Sequence, residues 1–96
     1  MSSDGEEAVS TKNLDFGNAL RFLEKGARVF RQGWHLAGMY LQLQRPDANS
    51  ANTLPYIYIV LPGYKGQTGE EIVAQRVPWT ASQTDLLSND WEVITE

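Results

Sequence analysis

Residues 56–61, "YIYIVL", most constrain what this chain can become. The run is too short and too rich in β-branched and aromatic residues for a helix, and both of its faces are apolar. Tyr56, Tyr58 and Val60 alternate with Ile57, Ile59 and Leu61. A strand of this kind needs cover on both sides, either a helix on one of them or a partner subunit. The chain has 96 residues and no cysteine, so neither a second core nor disulfides can supply the cover. One small domain is expected, with oligomerisation as a means of stabilising it.

The neighbouring segments give the strand its surroundings. "GMYLQLQ" alternates cleanly, with Met39, Leu41 and Leu43 opposite Tyr40, Gln42 and Gln44. "ARVFRQGW" reads as a strand ending at Gly33, and "RPDANSANTLP" as a loop. "PGYKGQTGEE" reads as a glycine-rich turn that leads into a further strand, "IVAQRVPW". Its glycines are not spaced as a phosphate-cradling loop requires.

A helix precedes the strands. Asp15 is placed to cap it, Phe16, Leu20 and Leu23 share one face, and Lys25 and Gly26 close it. Residues 1–13 are polar, acidic and without periodicity, and are expected to form a disordered tail ahead of a single domain over 14–96. Near the C-terminus, Ser82 and Asp85 give a serine-x-x-acid helix start. A short helix over about 83–89 is expected, with Leu86 and Leu87 on its buried side, and Trp91–Thr95 as the last strand. The order predicts an α+β fold. A small antiparallel β-sheet packs on an N-terminal amphipathic helix, with a short C-terminal helix.

Catalytic groups are scarce. His35 is the one histidine, no spacing assembles a nucleophilic triad, and no ligand cluster suggests a metal. Asp85 and Asp90 resemble a carboxylate pair, but on one continuous helix they would stand roughly 140° apart. Neither an enzyme nor a cofactor is expected. A net charge of −4 argues against duplex nucleic acid as a partner, and no apolar run is long enough for a membrane span.

Recognition has more support, because three tryptophans and four tyrosines are a heavy aromatic load for this length. Rings stack on nucleobases without needing charge, worth about 1–3 kcal/mol per base. They also dominate small cores. Trp34, after a glycine at a strand end, and Trp79, after Pro78, stand open to either use, whereas Trp91 in "DWEVI" is expected in the core. Ser82, Gln83, Thr84 and Asp85 serve equally as a helix cap or as polar groups facing a ligand. Arg31 is one of five arginines suited to phosphate or to a solvated face.

Together, "FGNALRFLEKGARVFRQGW", "GMYL", "PYIYI" and "VPWTASQTDLLSNDWEV" resemble a small phage and prophage domain, the second type of Thoeris anti-defence protein. The resemblance spans about Leu14 to Ile94. It implies a homotetrameric sponge in the host cytoplasm that sequesters, without cleaving it, the cyclic nucleotide signal glycocyclic ADP-ribose. Cyclic di- or trinucleotides of the CBASS type are second candidates. Carried onto matching motifs, it makes Arg31 a phosphate contact, Trp34 and Trp79 stacking residues, and Ser82, Gln83, Thr84 and Asp85 a polar wall. It also exposes a departure: the family follows the first tryptophan with Asn-Gly, where this chain has His35 and Leu36. The alternative is a protein-interaction module using the same aromatic surface.

Overall fold

The computed structural model describes residues 10–34 and 37–95. Helix α1 covers Phe16–Glu24 and helix α2 Gln83–Leu87. The strands are β1 (Val29–Arg31), β2 (Tyr40–Gln44), β3 (Tyr56–Leu61), β4 (Tyr64–Lys65), β5 (Glu71–Ile72), β6 (Gln75–Pro78) and β7 (Trp91–Val93). Five of them form an antiparallel sheet in the order β6-β3-β2-β1-β7, and β4 and β5 pair as a separate hairpin. The fold is therefore α+β, as the order of segments predicts.

α1 begins and ends where its caps dictate. Asp15 accepts from the Asn18 amide at 2.9 Å, and Gly26 closes the helix in the left-handed region at φ 96°. Arg45 donates to the Glu24 carbonyl at 2.7 Å, which places a cation at the negative end of the helix dipole and ties the 45–55 loop to it.

Strand register sorts the side chains into two faces. Val29 lies opposite both Leu41 and Val93, Leu41 opposite Ile59, and Arg31 opposite Trp91. Ala19 and Leu23 of α1 pack onto this face, and Leu14, Ala19, Leu23, Val29, Leu41, Trp91 and Val93 form the buried core. On the other face Gln42 pairs with Tyr58 and Tyr40 with Val60. There the Tyr58 hydroxyl donates to Gln42 at 3.1 Å, Arg76 lies over the Tyr58 ring and Arg28 over Tyr40. The two faces of β3 thus find different surroundings: Ile57 and Ile59 pack against the buried core on one, and polar and cationic side chains lie on the other.

Three expectations need correction. The strand expected after the glycine-rich turn is divided, because Glu71–Ile72 folds back on β4 before β6 joins β3. Leu86 and Leu87 are not on the buried side of α2; they are 43% and 76% exposed. The inward side of α2 is set by Asp85, whose charge is met there. Finally, α2 stops at Leu87 and Ser88 is extended, so the helical angle between Asp85 and Asp90 does not apply. The chain turns back and both carboxylates reach Arg31.

The expected tail boundary at residue 13 falls within a paired segment. Leu14 and Trp91 exchange backbone hydrogen bonds at 2.9 and 3.1 Å, and Val93 donates to the Thr11 carbonyl at 2.9 Å. Residues 1–9 of the tail, and His35 and Leu36, lie outside the described residues. Among the described residues, no helix is long and apolar enough to cross a membrane.

Candidate functional site

Trp91 is the fixed point of the site. Its indole is fully buried, and Nε1 donates to the Asp85 carbonyl at 3.0 Å. Trp34 meets it edge-on, with ring centroids 5.4 Å apart and planes at 80°; Trp79 does the same from another side at 6.0 Å and 87°. Phe16 of α1 closes the group, 5.2 Å from Trp91 and 5.7 Å from Trp79. Such edge-to-face contacts suit ring quadrupoles and stabilise the cluster beyond simple burial. Trp34 and Trp79 remain half-buried. They pack against Trp91 along one edge and keep surface free of the core.

A polar network backs this wall. Arg31, at the end of β1, donates from Nε to Asp90 Oδ1 at 2.8 Å and from Nη2 to Asp90 Oδ2 at 3.3 Å. Nη1 donates to Asp85 Oδ1 at 2.8 Å. The same Asp85 oxygen accepts the Trp34 indole N–H at 3.2 Å. Asp90 Oδ2 also accepts the Gly33 amide at 2.8 Å. Next to this, Gln32 donates to Glu92 across the β1–β7 pairing.

α2 is held by the capping box its sequence predicts. Ser82 Oγ accepts the Asp85 amide at 3.0 Å, and Asp85 Oδ2 accepts the Ser82 amide at 3.2 Å. Gln83 and Thr84 stand exposed in its first turn, and the Thr84 carbonyl accepts from Ser88 Oγ at 2.6 Å.

The network sets its own charge states. Burial works against the Asp85 carboxylate, but hydrogen bonds from Arg31, Ser82 and Trp34 outweigh it and hold its pKa below the ordinary value. The Arg31 hydrogen bond is the main cause of the same downward shift at Asp90. Asp90 in turn raises Arg31. All three therefore stay charged at neutral pH. The Arg31 and Asp85 side chains are only 12% and 13% exposed, against 31% for Asp90.

Of the residues singled out from sequence, the structure joins Arg31, Trp34, Ser82 and Asp85 directly. Trp79 belongs to the same wall through Trp91 and Phe16, while Gln83 and Thr84 border it as exposed groups. A concavity of about 280 Å³ opens beside Arg31 and Trp34, lined also by Phe30, Gln32, Gly38 and Met39. Sequence reasoning weighed Asp90 only as half of a carboxylate pair and Gly33 only as a strand end, and gave neither a place in the site. The signal for both is the strand register: Asp90 precedes Trp91, and Trp91 lies opposite Arg31. Among the described residues no cluster of histidines and acids suits a metal ion.

Comparison with known proteins agrees with the segments that form this wall. The family model for the Thoeris anti-defense 2-like (Tad2-like) domain matches residues 14–94, which include every residue of the network. A curated relative, Thoeris anti-defense 2 of Bacillus phage SP01, is 31% identical over 85 residues, covering 85% of this chain and 96% of its own length. On this match, which takes in both described helices, the seven described strands and the tryptophan-lined wall, the chain belongs to the Thoeris anti-defense 2-like family.

Proposed function

We propose that the protein counters Thoeris defence as a non-catalytic sponge in the host cell, binding glycocyclic ADP-ribose and holding it intact. The observation that carries this reading is the indole wall. Trp34 and Trp79 are braced edge-on by a buried Trp91, and both keep part of their surface. A nucleobase stacked on either gains about 1–3 kcal/mol with no demand for net positive charge. Ser82, Gln83 and Thr84 supply hydroxyl and amide groups at the border for a ribose. The working form is a homo-oligomer, taken as a tetramer, and cyclic di- or trinucleotides are a second class of ligand. A single small domain exposing Leu54, Tyr64, Val73 and Leu87 is consistent with subunit contacts.

Purified protein incubated with glycocyclic ADP-ribose, stripped of free ligand and heat-denatured should release the nucleotide intact, as read by mass spectrometry. Release of a cleaved product would make the protein an enzyme. If nothing is retained, cyclic di- and trinucleotides are tried in the same way, and failure of all of them removes the reading. Trp79→Ala should lose the ligand while circular dichroism and oligomer size are kept; loss of the fold would return Trp79 to the core alone.

The same exposed apolar side chains favour one other reading, a module that docks a host or phage protein. A polypeptide that co-purifies in place of a nucleotide would select it.

A further inference from the structure

The Arg31–Gly33–Trp34 motif and the Ser82–Trp91 segment touch at Asp90, and the contact explains why those residues stand where they do. Asp90 clamps Arg31 through Nε and Nη2 and, with the same carboxylate, accepts the Gly33 amide. Two of these bonds fix the guanidinium, and the third fixes the turn that carries Trp34. Gly33 is tied to this pair by space as well. A Cβ there would stand 2.8 Å from Asp90 Oδ2 and 3.1 Å from Arg31 Nη2, so a side chain at residue 33 would push the Asp90 carboxylate and the Arg31 guanidinium from these positions. From the clamped guanidinium, Nη1 reaches Asp85 Oδ1, the atom that also holds the Trp34 indole. The bonds run without a gap from Asp90 through Arg31 and Asp85 to the Trp34 ring.

The charge in this chain of contacts is lopsided. Two carboxylates face one guanidinium, and three of the five N–H groups of Arg31 are turned toward them. An approaching phosphate meets excess negative charge, at short range and in a partly desolvated place where repulsion is weakly screened.

We propose that Asp90 is a positioning residue for the ligand wall, and that Arg31 acts through Asp85 on the Trp34 ring instead of on a ligand phosphate. The proposal rests on the nucleotide reading of that wall. Its first arm, however, is read without any ligand. Indole N–H resonances of the free protein should be recorded for the wild type, Asp90→Asn, Arg31→Lys and Gly33→Ala. The Trp34 resonance is expected to move most in all three variants, while those of Trp79 and Trp91 mark an intact core. Gly33→Ala keeps every charge and disturbs only the space, so it serves if either charge variant fails to fold.

The second arm is affinity for glycocyclic ADP-ribose. Each variant should bind tenfold or more weakly, and the Asp90→Asn, Arg31→Lys double variant no more weakly than the worse single one, as members of one unit behave. An unmoved Trp34 resonance in Asp90→Asn overturns the proposal. So does a tenfold loss in Arg31→Lys with Asp90→Asn within twofold of wild type, the pattern of an arginine that meets phosphate itself. If the wild type retains no nucleotide, the sponge reading falls, and the indole spectra alone decide the positioning role.

Discussion

Around Trp91, side chains from α1, β1, β7 and α2 meet across the chain through ring contacts and hydrogen bonds; around β4 and β5, the bonds close within the hairpin. In the first region Arg31 and Asp85, 54 positions apart in sequence, meet at 2.8 Å, and Trp34 and Trp79 brace a buried ring. In the second, Gly66 donates to the Glu70 carbonyl at 2.8 Å and Thr68 to the Glu70 side chain, while Tyr64 and Val73 stay open to solvent. An isolated two-stranded hairpin is marginal in water. One region is thus ordered by long-range chemistry of its own. The other is closed by short-range bonds and keeps apolar surface to spare.

Cutting the strongest contact should show the contrast best. Trp91→Ala removes the ring that Phe16, Trp34 and Trp79 share, and should cost about 3–5 kcal/mol in urea unfolding. A loss under about 1 kcal/mol would mean that the wall stands without it. Arg31→Ala comes next, at about 3 kcal/mol, because it leaves Asp85 and Asp90 facing each other in a half-buried place.

A pH series sharpens the same point. The pKa values of Asp85 and Asp90 are depressed by folding, so their contribution is fully present above the unfolded value of about 3.9 and is lost as pH falls below it. Stability of the wild type should therefore drop between pH 4 and pH 2 more steeply than that of the Asp85→Asn, Asp90→Asn double variant. Equal slopes would count against the network as the acid-sensitive element. Ser82→Ala, which removes one half of the capping box, should cost about 1 kcal/mol.

The smallest effects belong to exposed apolar side chains, Tyr64 and Val73 at the hairpin and Leu87 on α2. Tyr64→Ser, Val73→Ser and Leu87→Ser should each lie within about 0.5 kcal/mol of wild type in dilute solution. A loss that grows with protein concentration would instead place those side chains beneath another subunit.

What could be read from sequence divides along the same line. α1 was legible from Asp15 to Gly26 because both caps and the apolar stripe are local. β2 and β3 were legible because alternation is a property of a few consecutive residues. The burial of Trp91 followed from its extended setting. The inward side of α2 was not legible, since a two-leucine pair outranks an aspartate on any hydropathy pattern. Only Arg31, from a strand distant in sequence, makes the aspartate side the buried one. Asp90 escaped for the same reason: its role exists only once Arg31 and Trp91 are opposite each other. The pairing of Thr11 with Val93 is likewise a matter of what lies alongside, in a segment whose composition reads as tail.

That last pairing has a consequence for how the sheet can grow. Residues 11–14 occupy the outer side of β7, so the five-stranded sheet presents its remaining edge at β6. β6 is four residues long and ends in Pro78, which has no N–H to offer a further strand. Two copies can meet there across a twofold axis, edge against edge. Because residues 11–14 already lie along β7, a strand from another copy would pair with β6 and not with β7 itself.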